Sequence, residues 1–111
     1  MSENIENAKK AQLDAAAMDY IESLNFLVQI GDHIFQADPS SYNSLTSVLS
    51  VGSLPPGFYW VDASNQRVPV DFVFLSSLAS TIAAERFVRF NAYQDRKERI
   101  RNATSIPELF V

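Results

Sequence analysis

A long helix-forming run near the C-terminus constrains the fold of this chain most. Between Phe72 and Ala103 there is no Gly or Pro, and apolar residues recur at three- and four-residue steps. This spacing predicts one helix with an apolar face, which Asp71 is placed to cap. The predicted face holds Leu75, Leu78, Ala79, Ile82, Arg86, Phe90, Tyr93, Lys97 and Ile100. The stems of Arg86 and Lys97 can lie on the core while their charges reach solvent.

The apolar face of this helix needs a sheet to pack against, and the sequence predicts two β-hairpins upstream of it. Gly31 and Asp32 separate the β-rich runs 26–30 and 33–36, as in a two-residue turn. Residues 58–61 and 67–70 form the second predicted hairpin, in which Pro69 removes one backbone donor.

A short helix is predicted between the hairpins. Asp38 is placed as its N-cap, Pro39 stands at its first position, and Gly52 is placed to end it. At the C-terminus, Ser105 and Glu108 are spaced as a capping box.

The N-terminal segment predicts a further helix, from Asn4 to about Leu24. One face carries apolar residues, but the pattern fades before Leu13, as at a frayed end or a partner-bound segment. The anchors that this face offers for docking into a partner's groove are Leu13, Ala16, Tyr20, Ile21 and Leu24. We therefore divide the chain into an N-terminal helix, residues 1–25, and a single α+β domain, residues 26–111.

The predicted fold class is α+β. A small antiparallel sheet from the two hairpins packs against the long C-terminal helix, with an N-terminal helix and a short helix between the hairpins. The length of 111 residues and the 47% hydrophobic content suit one modest core. No run approaches the ~20 apolar residues that a membrane helix needs, so we expect an intracellular, soluble chain without a membrane partner.

The stretch FYWVDASNQRVPVDF, residues 58–72, begins with three aromatic residues that could stack on a ligand. Alternation along a strand puts Phe58 and Trp60 on one face, towards the core, and Tyr59 on the other. The predicted surface contacts of this stretch are Tyr59, Asn65 and Arg67.

Motifs for catalysis are absent from the sequence. It has no Gly-x-Ser-x-Gly, no glycine-rich phosphate loop and no cysteine, and His33 is the single histidine. A lone strand histidine is typical of a surface or cross-strand position. We expect neither an enzyme nor a bound cofactor or metal ion.

The charge distribution leaves a nucleic-acid hypothesis open. Residues 86–111 carry six basic side chains against three acidic ones, within a chain of net charge −4. A basic helix can bind a phosphate backbone, although interspersed Asp95 and Glu98 are typical of an ordinary solvated face.

Three segments together resemble a known domain family. They are FLVQIGDHIFQADPSSYNSL, PPGFYWVDASNQRVPVDFVFLSSLASTI and KERIRNATSIPELF, and they cover about residues 26–110. They are similar to a family of uncharacterised function found in tailed-bacteriophage tail proteins, within or beside tail-fibre genes. The recurring themes are Asp-x-x-Ser before a helix, then Trp60, Asn65 and Val68, then Lys97, Ile100, Ala103 and Thr104.

The resemblance implies a role in the virion tail, or in the host cytoplasm during tail assembly. The first hypothesis is a non-catalytic accessory protein or chaperone that binds a trimeric tail fibre. The second is a permanent virion component that joins the fibre to baseplate proteins. A nucleic-acid-binding regulator is third, and further copies of the same chain are additional candidate partners.

Overall fold

The computed structural model describes residues 2–110 and confirms the α+β class. Three α-helices, two antiparallel strand pairs and a terminal 3₁₀ helix follow one another along this part of the chain. Their bounds are α1 Ser2–Ser23, β1 Leu27–Ile30, β2 His33–Gln36, α2 Pro39–Ser50, β3 Tyr59–Val61, β4 Arg67–Pro69, α3 Phe72–Asn102 and the 3₁₀ helix Pro107–Phe110.

Local signals explain where α2 and α3 begin. The Asp38 carboxylate accepts hydrogen bonds from the Ser41 N–H and hydroxyl, at 3.3 and 2.6 Å, and Pro39 occupies the first helical position. The Asp71 carboxylate accepts from the Phe74 N–H at 2.7 Å. Both caps satisfy backbone donors that have no partner inside the helix, as predicted. Gly52 follows α2 with a φ of +89°, the conformation that ends many helices.

The first hairpin pairs β1 with β2 around the predicted Gly31–Asp32 turn. Ile30 lies opposite His33, and Gly31 has a φ of +61°. A positive φ at the first turn position matches the right-handed twist of the two strands, so the turn sets their register.

In the second hairpin, Trp60 of β3 lies opposite Val68 of β4. The flanking bonds Val70 N–H to Phe58 C=O and Asp62 N–H to Gln66 C=O show which pairs exchange hydrogen bonds. Because such pairs alternate along an antiparallel ladder, Pro69 falls at a position whose N–H would point away from β3. Pro69 therefore removes no bond from the ladder.

The two hairpins form separate two-stranded sheets, where the sequence predicted one small sheet. One backbone hydrogen bond joins them, from the Ala63 N–H to the Ile34 C=O at 2.7 Å. Beyond this bond, no backbone hydrogen bond links Val61 to Gln36, the next positions along the two edges, within residues 2–110. The edges of β2 and β3 do not pair beyond this bond, so the two hairpins do not form one sheet.

The described residues form two compact units, and Leu24–Arg86 make up one of them. Its hydrophobic core combines both hairpins, α2 and the first half of α3. The core residues that are buried are Phe26, Val28, Phe35, Ala37, Leu45, Val68, Leu75, Leu78 and Ile82. Phe58 and Trp60 pack against this core, as strand alternation predicts.

The other unit combines α1 with the chain from Phe87 onward. Its smaller core contains buried Ala16, Ile100, Ala103 and Leu109, with Leu13 and Tyr93 packed against them. Of the predicted capping box, the Glu108 carboxylate accepts from the N–H and hydroxyl of Thr104, both at 3.0 Å. These two bonds contribute most to lowering the pKa of Glu108, and the Ser105 side chain adds to the effect.

These two units do not follow the predicted division at residue 25, because α1 groups with the end of the chain. Whether residues 26–111 fold as a domain by themselves stays a prediction. Among the described residues, no helix is long and apolar enough to cross a membrane.

Replacing Phe35 by Ala tests the core of the unit 24–86. The side chain is fully buried, so we expect a loss of about 3–5 kcal/mol in the free energy of unfolding, measured by urea denaturation. Ile34→Ala, at the exposed neighbour on β2, should cost about 1 kcal/mol or less. Equal losses in the two variants would contradict this assignment of strand faces.

Candidate functional site

Most of the predicted docking face of α1 is occupied within the chain. Ala16 is buried in the core that α1 shares with the C-terminal residues, and Leu13 packs against that core. Tyr20 stacks on Tyr93, with ring centroids 4.7 Å apart and planes 7° from parallel. Leu24 is also buried. Docking through these residues would require α1 to leave its own partner helix.

Polar contacts hold α1 and α3 in an antiparallel pair. Arg96 donates to the Asp19 carboxylate at 2.7 Å, and Arg89 donates to the C=O of Ser23 at 2.8 Å. Near the start of α1, Lys9 donates to the C=O of Arg101 at 2.9 Å. These contacts run from Lys9 to Ser23, and Ala8 packs against the shared core, so part of the first half of α1 is packed as well.

Ile21 is the one predicted anchor whose side chain stays mainly exposed, at 64%. It follows Tyr20, whose ring meets the Phe90 ring edge-on at a centroid distance of 6.1 Å. Phe87 lies one helical turn before Phe90, and these two side chains are 63% and 41% exposed. We call Ile21, Phe87 and Phe90 the apolar patch. Large apolar side chains that remain exposed on neighbouring helices can form a protein-binding surface.

The sequence predicted Phe90 on the buried face of the long helix and gave no role to Phe87. Phe90 instead lies at the border of that face, where it contacts Tyr20 and remains partly exposed. Phe87 lies outside the buried stripe, and a large aromatic residue among the polar positions of a helix is a signal that the sequence does contain.

Four of the six basic side chains in residues 86–111 make contacts within the chain. Arg96 and Arg89 bind α1 as described, Arg86 lies over the Tyr42 ring at 4.8 Å, and Lys97 lies over the Tyr93 ring at 4.4 Å. Cation–π contacts of this kind hold the long stems on the protein. Of these four, Arg96 contacts a carboxylate, and a nucleic-acid role through this helix stays a hypothesis.

The turn of the second hairpin is organised by a buried carboxylate. Asp62 Oδ1 accepts hydrogen bonds from the N–H groups of Ser64 and Gln66, both at 2.9 Å. Its Oδ2 lies 3.3 Å from Nδ1 of His33, which is a cross-strand contact between the two hairpins. The turn also places Asn65 in the left-handed region, at a φ of +64°, which Asn tolerates well.

These contacts favour the ionised form of Asp62. The hydrogen bond from the Gln66 N–H contributes most to lowering the pKa of this carboxyl group below its ordinary value, and those from His33 and Ser64 add to the effect. Burial acts in the opposite direction but does not prevail. No sequence signal indicated the pair with His33, because the two residues are distant along the chain.

The predicted contacts Tyr59, Asn65 and Arg67 are exposed on the second hairpin. The Arg67 guanidinium lies over the Tyr59 ring at 5.0 Å from its centroid. Tyr59 and Asn65 also line an open groove of about 460 Å³ in the unit 24–86. Its other lining residues are Gln36, Ser40, Ser41, Ser44, Phe58, Trp60, Val61, Asp62 and Ala63. The structure thus brings two of the three predicted contacts to one concave surface.

Across residues 2–110, no group of three or more His, Cys, Asp or Glu side chains is placed to hold a metal ion. A second open concavity, of about 640 Å³, lies beside the end of α3 and is lined by Asp95, Glu98, Arg99, Asn102, Ala103 and Glu108. Its charges are of both signs and lie at the surface.

Comparison with known proteins identifies a family. A family described as "Domain of unknown function (DUF4376)" matches residues 4–110. The chain belongs to this family. The DUF4376 match includes almost all of α1, whereas the resemblance seen in the sequence began at residue 26. No curated protein and no solved structure matches the chain significantly. The family description states no function, so the association with phage tails stays a prediction.

The Asp62 turn should make stability depend on pH in acid. Since its pKa is lowered on folding, ionised Asp62 stabilises the fold above about pH 4, and this contribution is lost as the pH falls through the folded pKa. Asp62→Asn keeps a side-chain acceptor but does not titrate. We expect wild type to lose more stability than this variant between about pH 5 and pH 2.5 in urea denaturation.

Asp32→Asn is the control, because Asp32 is an exposed carboxylate in the other hairpin turn with no hydrogen-bond partner among the described residues. Its pH profile should parallel that of wild type. Identical profiles for wild type and Asp62→Asn would contradict the role assigned to the Asp62 carboxylate.

Proposed function

We propose that this protein is a non-catalytic accessory protein of a bacteriophage tail fibre, which binds the trimeric fibre during folding or assembly. The apolar patch of Ile21, Phe87 and Phe90 is the observation that carries the protein-binding part of this proposal. The resemblance of residues 26–110 to domains found in or beside tail-fibre proteins supports the choice of partner.

The apolar patch has the composition of a binding surface. Aromatic side chains are enriched among the residues that contribute most to protein interfaces, because they bury a large area and lose little conformational entropy. Phe87 and Phe90 belong to α3, and Ile21 belongs to α1, so the packed helix pair positions all three side chains. A rigid surface of this kind can bind without a disorder-to-order transition.

The patch replaces the docking mode expected from the sequence. In that mode α1 inserts its apolar face into a groove of the fibre, but Ala16 and Tyr20 are committed to contacts with the C-terminal part of the chain. In the proposed mode, the fibre instead binds the side of the helix pair on which Ile21, Phe87 and Phe90 are exposed.

Phe87→Glu tests the proposal in co-expression with the tail-fibre protein encoded nearest to this gene. Placing a charge in the patch should weaken binding by at least about 2 kcal/mol, which is about 30-fold in Kd. The retained fraction in co-purification and the Kd from calorimetry measure the effect. Because Phe87 is exposed, the variant should keep the circular dichroism spectrum of wild type.

Val73→Glu is the matched control, since Val73 is an exposed apolar residue of the same helix outside the patch. It should bind the fibre like wild type. Equal binding by Phe87→Glu would overturn the patch as the docking surface, and a wild-type chain that fails to bind the fibre would overturn the proposed function. Presence in purified virions at a stoichiometry set by tail symmetry would instead identify a permanent fibre-to-baseplate component.

A further inference from the structure

The groove beside β3 combines a strand edge with a helix face. Tyr59 and Val61 of β3 line one wall, Ser40 and Ser44 of α2 line the other, and Gln36 lies at the end of β2. Its volume of about 460 Å³ falls in the range of ligand-binding clefts.

The wall formed by β3 has free main-chain groups. Trp60 exchanges hydrogen bonds with Val68 in the ladder, so by alternation the N–H and C=O groups of Tyr59 and Val61 point away from β4. Within residues 2–110, no hydrogen bond reaches these groups. An unpaired edge of this kind is a template for another strand.

The edge of β2 adds to this arrangement. Ile34 uses its outward C=O to bind the Ala63 N–H, which closes one end of the groove. By the same alternation, the N–H and C=O groups of Gln36 point outward from β1 and, within the described residues, have no hydrogen-bond partner. The outward main-chain groups of Gln36, Tyr59 and Val61 therefore all belong to residues that line the groove.

The side chains that line the groove carry no available charge. Asp62 is the single ionised lining residue, and its carboxylate is directed to His33 and to the turn N–H groups. The hydroxyl groups of Ser40 and Ser44, one helical turn apart, make no hydrogen bond among the residues described. Phe58 and Trp60 stack at a centroid distance of 6.4 Å and supply an apolar border.

We propose that the groove binds an extended peptide segment of a partner protein, which adds as a strand to the free edge of β3. The segment contributes main-chain groups to Tyr59 and Val61, and its side chains in the groove are uncharged, because the lining offers them no counter-charge. At about 3.3 Å per residue, three to five residues span this edge. The inference does not depend on the tail-fibre role, since the groove and the apolar patch lie on different parts of the chain.

The experiment begins with selection from a random-peptide library against the full chain. Trp60 is the only tryptophan, so its fluorescence reports binding of tryptophan-free peptides to the groove. At saturation, amide hydrogen exchange measured by NMR should slow at least about tenfold at Tyr59 and Val61. The Trp60 amide, which is already paired with β4, should change less.

A pair of matched variants tests the helix wall. Ser44→Leu fills the groove and should weaken the selected peptide at least about tenfold, whereas Ser47→Leu, on an exposed position of α2 outside the groove, should bind like wild type. Leu has a higher helix propensity than Ser, so both variants should fold.

Three results would overturn the proposal. They are a selection that yields no peptide acting on Trp60, peptides that bind without slowing exchange at Tyr59 and Val61, and equal binding by the Ser44 and Ser47 variants. A shift of Trp60 emission by neutral oligosaccharides of glucose, galactose or N-acetylglucosamine, without any peptide effect, would assign the groove to sugars instead. The Phe87→Glu variant should bind the selected peptides normally, which separates this test from that of the fibre.

Discussion

Packing along one continuous helix supports both hydrophobic cores of this protein. The first half of α3 contributes Leu75, Leu78 and Ile82 to the core with the hairpins, and its second half contributes Ile100 to the core with α1. One face of α3 therefore contributes to two cores, the first half of the helix to one and the second half to the other. Each hairpin is short, and an isolated two-stranded hairpin is marginally stable in water. Packing against the face of α3 therefore stabilises both hairpins.

The pairing of α1 with α3 determines which apolar residues remain available. Once Ala16 is buried and Tyr20 is stacked on Tyr93, the helix face that resembled a docking element becomes part of the chain's own core. Ile21, Phe87 and Phe90 are among the apolar residues of the two helices that remain exposed. Core packing and partner binding both use apolar side chains. Most of the apolar face of α1 is used in core packing.

The separation of the two hairpins likewise determines which backbone groups remain available. Among the described residues, one backbone hydrogen bond, from the Ala63 N–H to the Ile34 C=O, joins the hairpins, and the side-chain contact between His33 and Asp62 adds to it. Within residues 2–110, β2 and β3 belong to separate sheets, so the outward backbone groups of Val61 and Gln36 do not bond to each other. The parted edges leave polar main-chain groups that water or a partner must satisfy, which is a local condition for recognition by strand addition.

Short-range signals in the sequence determined the elements of this fold. Gly31 set one turn, Asp38 and Asp71 capped two helices, and alternation directed Phe58 and Trp60 to the core, because each effect acts within a few residues. Exposure of Tyr59 and Asn65 followed from the same rules. The tertiary structure alone decided the contacts between distant segments: the partner of α1, the His33–Asp62 pair and the split between the hairpins. Periodicity identifies an apolar face but not the surface that covers it, since that depends on how all the elements pack together.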